Sequence, residues 1–269
     1  MTRQVHTIIL DLDGTLIKTE KLKDAFKQIA VDYGCTSDEA RDVYKDSRTS
    51  IDPESGKEKI FFSREHFAEV LRKFLREKKG IEVGEVDFKK LDTELNENLL
   101  LPGTKELLEK IKKSDVDFYL ITLGAEIWQK EKIKGAGLDE YFNFGNEKRE
   151  GNVIFTDDNE GNGGRKSGAI KEKFGDDFTG EGVLFLNDKP WETKNLSLEF
   201  KELQSFVVPD LDDERYDMEI FEKARIQAQE AGGSLVCLGG LDKFEEHLIK
   251  TGLIKEVSID PERQNKLRK

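Results

Sequence analysis

The chain has 269 residues, 36% of them hydrophobic and 37% charged, with a formal net charge of −12. That length suits one large domain or two modest ones, and the negative field disfavours nucleic acid and anionic membranes as partners. Cys35 and Cys237 form no Cys-x-x-Cys pair, and His6, His66 and His247 are isolated, so neither a zinc site nor a disulfide framework is expected.

The first predicted element is the β-rich run VHTIIL, residues 5–10, read as a buried strand. Its acidic continuation comes too soon for a signal peptide, and no apolar run approaches the ~18 residues of a membrane span. A cytoplasmic monomer is the simplest expectation. From residue 18 the rhythm becomes helical. Leu22, Ala25, Phe26, Ile29, Ala30 and Tyr33 step by three and four, and so do Phe67, Val70, Leu71, Phe74 and Leu75. Val86, Leu91, Leu95 and Leu99 suggest a third, less regular stripe. SRTSIDPESGKEK, residues 47–59, reads as a polar loop. Residues 18–100 are therefore expected to be a helical insert with almost no strand, its apolar stripes serving as packing.

After LPGT (101–104) helices and strands alternate. A helix over 104–113 leads to the strand FYLIT (118–122), and a second helix stops at KGAGL (134–138). NVIF, GVLFL (182–186), SFVV (205–208) and SLVCL (234–238) read as further strands. A helix over about 214–231 presents Met218, Phe221, Ala224 and Ile226. Alternation of this kind predicts an α/β fold, a doubly wound, Rossmann-like parallel sheet with helices on both faces. The terminal PERQNKLRK is expected to fray.

Ligands of such sheets bind beyond the carboxyl ends of the strands. Four strand ends carry chemistry here: Asp11 and Asp13 with Gly14, then Thr122 with Leu123 and Gly124, then a loop containing Lys166, then Asn187 and Asp188. A carboxylate can attack phosphorus, and the meeting of two anions calls for a hard divalent cation. Asp11 and Asp188 are candidate magnesium ligands, with the Asp13 carbonyl a third. The Asp13 side chain is the candidate acid and base. Gly14 permits the turn that aims both acids inward. Thr122 and nearby N–H groups suit phosphate oxygens, and a lysine suits the developing charge. Asp-x-Asp after a strand is often only a turn. The full Asp-x-Asp-Gly-Thr arises by chance in about one such chain in a hundred or fewer.

DLDGTL, LPGTKELLEKIKK…FYLITLGAE, a lysine before a helix and VLFLNDKPWE resemble, in order, the four motifs of the haloacid dehalogenase-like hydrolase superfamily. The resemblance spans residues 5 to about 195. It implies a core of residues 1–17 and 101–269 with a mobile helical cap, 18–100. It implies Asp11 as nucleophile, Asp13 as general acid/base, Thr122 and Lys166 as phosphate-site residues, and Asp11, Asp13 and Asp188 around magnesium. Glu192 would stand beside them as an outer carboxylate. Two departures stand out. Asn187 replaces the usual Gly or Asp of the fourth motif, offering an oxygen without a charge. A glycine-rich extension precedes Lys166, leaving Lys171 as a second candidate lysine.

GNGGRKSG, residues 161–168, also invites a P-loop reading. Aligned on Lys166-Ser167, the required glycines fall on Arg165 and Glu160, so the spacing is wrong. The pair Asp157 and Asp158 is read as loop. The expected activity is a magnesium-dependent phosphatase on a small phosphorylated metabolite, with Arg48, Lys57 and Arg64 as cap residues in reach of substrate. A phosphosugar mutase, a dehalogenase and a non-catalytic binder on the same fold are the alternatives, and Asp13 argues against the dehalogenase.

Overall fold

The computed structural model describes residues 5–51, 58–145, 150–156, 164–209 and 217–255. Strand β1 (Thr7–Asp11) comes first. Helices α1 (Thr19–Asp32) and α2 (Ser37–Asp46) follow, then a short antiparallel ribbon of β2 (Thr49–Ile51) and β3 (Glu58–Ile60), then α3 (Arg64–Lys79) and α4 (Lys89–Glu94). The chain continues through α5 (Thr104–Lys112), β4 (Asp117–Leu123), α6 (Glu126–Gly135), β5 (Val153–Thr156) and α7 (Gly164–Phe174). It ends with β6 (Val183–Asn187), α8 (Pro190–Glu199), β7 (Gln204–Val207), α9 (Met218–Glu230), β8 (Leu235–Cys237) and α10 (Leu241–Lys250).

Six strands form one parallel sheet in the order β5-β4-β1-β6-β7-β8. Both faces of β1 are covered, which is why its sequence is an unbroken apolar run. Alternate side chains enter different cores. Ile8 and Leu10 join the cluster that contains the insert. Ile9 packs with Ile121 and Phe185 against Ile170 of α7, Leu196 of α8 and Phe200 just after it. A third cluster seats Phe221, Ala224 and Ala228 of α9 on Val207 and Leu235. This is the doubly wound α/β arrangement that the alternation predicts.

Residues 18–100 lie between β1 and β4. The chain leaves and returns side by side: Lys18 N–H donates to the Leu99 carbonyl (2.8 Å) and Leu101 N–H to that of Leu16 (2.9 Å). The two strongest helical stripes bury Leu22, Phe26 and Ile29, and Phe67, Leu71 and Leu75. The third stripe buries Leu91 and Leu99, but makes only the short α4 and a 3-10 turn.

Four details differ from expectation. Helix α2 buries only Ala40 and Val43, too thin a stripe to read, although Thr36 and Glu39 close a capping box at its start. The stretch 47–59 holds the β2–β3 ribbon rather than loop alone. On α9, Met218 and Ile226 are exposed and Ala228 completes the buried face. Helix α10 is an added element that buries Leu241, Phe244 and Leu248. Among the described residues no helix is long and apolar enough to cross a membrane.

The insert is joined to the sheet domain by aromatic packing. Phe26 lies 4.8 Å from both Phe62 and Phe67 and 5.4 Å from Trp128 of α6, centroid to centroid. A large buried ring with neighbours on every side leaves a cavity when truncated. Phe26→Ala is expected to cost about 3–5 kcal/mol of stability, read as a lower urea midpoint at unchanged slope.

Candidate active site

Strand β1 is the hinge of the topology: the chain builds β4 and β5 on one side of it, then crosses to β6 on the other. A switch point of this kind opens a crevice at the carboxyl ends of the strands. Asp11 ends β1 there, and Asp188 follows the end of β6. Leu10 pairs with Leu186, which sets the two acids on adjacent strand ends. Gly14 takes φ 78°, a left-handed turn that a side chain would strain, and its N–H donates to the Ile17 carbonyl (3.0 Å). That turn folds Asp13 back to the strand ends.

Lys166 stands in the first turn of α7 and is 1% exposed. Its ammonium donates to Asp11 Oδ1 (2.7 Å) and meets Glu192 Oε2 (2.7 Å). Burial works to lower its pKa, but the Asp11 and Glu192 charges outweigh burial and raise it. Glu192 also accepts from Asn187 Nδ2 (2.9 Å). Burial would raise the Glu192 pKa, yet Lys166 and Lys189 bring it down to about 2. The alternative, Lys171, pairs on the surface with Glu199. The structure thus brings Lys166, and not Lys171, to Asp11.

Asp13 faces a pocket of about 160 Å³ between the strand ends and the insert. Lys132 of α6 contacts both of its carboxylate oxygens, Oδ2 at 2.6 Å, and Thr19 Oγ1 donates to Oδ1 (2.9 Å). Burial would raise the Asp13 pKa, but the charge and hydrogen bond of Lys132 hold it below the ordinary value. Gly14, Leu123 and Gly124 also line the pocket. Thr122 does not. It is fully buried, and its hydroxyl donates to Gln129 Oε1 (3.0 Å), while Gln129 Nε2 donates to the Leu123 carbonyl (2.9 Å). Gly124 has φ 138°, and a Cβ there would lie 2.5 Å from Gln129 Nε2. Gln129 therefore fixes the loop whose backbone forms that wall.

Two buried carboxylate oxygens, Asp11 Oδ2 and Asp188 Oδ1, have no hydrogen-bond partner. Burial and the neighbouring Asp11 charge raise the Asp188 pKa well above the ordinary carboxylate value, against the pull of Lys189. Unpaired buried oxygens on neighbouring strand ends fit a hard divalent cation. Among the described residues no three His, Cys, Asp or Glu side chains gather as a ready-made cage. The fit therefore rests on Asp11 and Asp188, with a backbone carbonyl such as that of Asp13. Asn187 does not extend the set. Its side-chain oxygen accepts from the Asp188 N–H (3.0 Å) and faces Lys166 at 3.5 Å.

Of the expected cap residues, Arg48 lines the pocket. Arg64 instead ties the insert together and to α6, donating to Glu131 (2.7 Å) and to Asp92. Lys57 lies outside the described residues, as do Asp157, Asp158 and residues 161–163 of the glycine-rich loop. Gln129, Lys132, Lys189 and Thr19 escape the sequence reading. Lys189 had a positional signal, directly after Asp188 at a strand end. Gln129 and Lys132 are three apart on the first helix after β4, a spacing that puts both on one face. Lys132 is otherwise indistinguishable by type from its neighbours Lys130 and Lys134.

The geometry agrees with comparison to known proteins. A family model described as haloacid dehalogenase-like hydrolase matches residues 5–161, more than half of the chain. No curated protein matches. Among solved structures, a HAD family hydrolase from Deinococcus radiodurans with bound phosphate and sodium superposes with TM-score 0.52 at 13% identity, covering 95% of this chain and 100% of that one. The putative HAD-hydrolase YfnB from Bacillus subtilis, bound to magnesium, gives 0.53 at 16%, covering 91% and 99%. A putative beta-phosphoglucomutase from Thermotoga maritima gives 0.51 at 20%, also covering 91% and 99%. At such identities these likenesses speak for the fold, and the family match carries the assignment: the chain belongs to the haloacid dehalogenase-like hydrolases.

Proposed function

We propose that the protein is a magnesium-dependent phosphatase that hydrolyses a small phosphorylated metabolite through a phosphoryl-Asp11 intermediate. The observation that carries this reading is the pair of unpartnered buried oxygens, Asp11 Oδ2 and Asp188 Oδ1, beside a pocket that also holds Asp13. Phosphate and magnesium, each named with one of the similar structures, suit the same reading.

Asp11 attacks phosphorus, and the bond to the leaving oxygen breaks. Lys166 holds the Asp11 carboxylate in one orientation and faces it with positive charge. Backbone groups of Leu123 and Gly124, which line the pocket, would receive the phosphate oxygens. Thr122 would reach the phosphate only by giving up Gln129, so its first role is to support that wall. Asp13 serves the leaving oxygen, then takes a proton from the water that hydrolyses the acyl phosphate. Magnesium, held by Asp11, Asp188 and the Asp13 carbonyl, would offset the charge of carboxylate and phosphate. In this proposal residues 18–100 act as the cap over a core of 1–17 and 101–269. The Tyr44, Arg48 and Phe62 side chains of the insert then meet the organic part of the substrate. The chain works as a monomer in the cytoplasm, where its two free cysteines stay reduced.

Release of inorganic phosphate from a panel of small phosphate esters is expected in the presence of magnesium and not with chelator. Asp11→Asn should lower it by at least about 10³-fold. Interconversion of sugar phosphates without net phosphate would replace the phosphatase reading by a mutase.

Asp188 gives a second expectation. A carboxyl whose pKa rises on folding destabilises the fold once pH exceeds its unfolded value, near 3.8. Where Asp188 is ionised, the metal-free site is therefore under repulsion that a divalent cation would relieve. Saturating magnesium should raise the wild-type melting temperature by roughly 5 °C or more. Asp188→Asn without metal should melt no lower than wild type, and should lose the magnesium response. An unchanged response in that variant would remove Asp188 from the metal site.

A further inference from the structure

Lys132 is a lysine buried to 2% exposure on the wall of the pocket, with Asp13 as its ion-pair partner. Its ammonium spans both oxygens of that carboxylate, and Thr19, the first residue of α1, supplies a third donor. Among the described residues, every side-chain hydrogen bond at Asp13 is one that it accepts. A carboxylate gripped this way has a fixed plane, and each contact favours an acceptor over a donor. The anchor itself is fixed. One turn earlier on α6, Gln129 binds Thr122 and Leu123 and Trp128 enters the aromatic cluster, and the adjacent Glu131 receives Arg64. Stability alone does not account for such a pair, since a buried ion pair is commonly no better than apolar packing of the same volume.

We propose that Lys132 is the positioning residue that holds Asp13 as the proton acceptor for hydrolysis of phosphoryl-Asp11. This inference rests on the phosphatase reading above. In that step water oxygen attacks phosphorus, the bond from phosphorus to the Asp11 oxygen breaks, and the water proton passes to Asp13. Phosphate leaves, and Asp11 regains its free carboxylate. Formation of the intermediate from an aryl phosphate makes little demand on Asp13, because an aryl oxide departs without a proton. Loss of Lys132 should therefore slow the second half-reaction more than the first.

The test is rapid-mixing kinetics of the full chain with 4-nitrophenyl phosphate and magnesium. Lys132→Met is expected to show a burst of nitrophenolate near one equivalent per enzyme, then steady turnover at least about 10-fold below wild type. Lys132→Arg should restore most of the steady rate, because it restores a donor to both oxygens. Thr19→Val, which removes the third donor and leaves the lysine, should give a weaker burst of the same kind. It carries the test if the methionine variant does not fold. With Asp13→Asn already present, Lys132→Met should add nothing to the partition between the two steps. Equal slowing of both half-reactions without a burst, or an unchanged steady rate, would overturn the assignment while leaving the phosphatase reading intact. Wild-type protein that releases neither nitrophenolate nor phosphate would overturn both.

Discussion

The buried carboxylates of Asp11 and Asp188, on adjacent strand ends, set the terms for the rest of the site. Each retains an oxygen with no hydrogen-bond partner. Two like charges out of water repel, and removing water strengthens that repulsion. The surrounding residues temper it without abolishing it. Lys166 takes one Asp11 oxygen, and Glu192 shares that lysine. Lys189, part-buried, adds a third cation to Lys166 and Lys132, against the four carboxylates of Asp11, Asp13, Asp188 and Glu192. The imbalance is what a cation of higher charge would correct. The parallel sheet makes it available, because strands of one direction deliver all their carboxyl-end residues to one rim.

Helix α6 connects this rim to the insert. Within five residues it sends Trp128 into the aromatic cluster, Gln129 to the Thr122–Leu123 loop, Glu131 to Arg64 and Lys132 to Asp13. Its apolar contribution is small, and Ile127 stays exposed. The helix is held by specific contacts at both ends of its reach rather than by a broad apolar stripe. The insert thus touches the site at three places, Arg64 and the aromatic cluster through α6 and Thr19 directly on Asp13.

What the sequence discloses follows from how each residue earns its place. Buried strands with both faces covered are continuous apolar runs, so β1 and β6 are plain to read. The first and fourth motifs are legible because their acids follow such runs directly, at the strand ends where ligands of parallel sheets bind. Helices α2 and α10 are harder, since each commits only two or three side chains to the core. The contacts of Thr122 and Arg64 escape the sequence for one reason. A hydroxyl or guanidinium near a site reads the same whether it faces substrate or another side chain, and only the partner decides. Gln129 and Glu131 are those partners, and their contacts depend on a helix register that spacing suggests but does not fix.

Lys132 is the extreme case of that ambiguity. Lys130, Lys132 and Lys134 alternate along one helix, identical in type. Lys130 pairs with Glu126 and lies over Phe144 and Phe155, and Lys134 also lies over Phe144. Lys132 alone of the three turns to the strand ends, because α6 makes one turn in about 3.6 residues and Gln129 already faces them. Burying its charge is costly unless a carboxylate meets it, and Asp13 meets it with both oxygens. The chain carries a net charge of −12, yet Lys132, Lys189, Lys23 and Arg48 stand on the wall of its pocket among the acids. The long-range field of the chain is screened over about 10 Å in salt, while these cations act at contact, where Lys132 already meets Asp13.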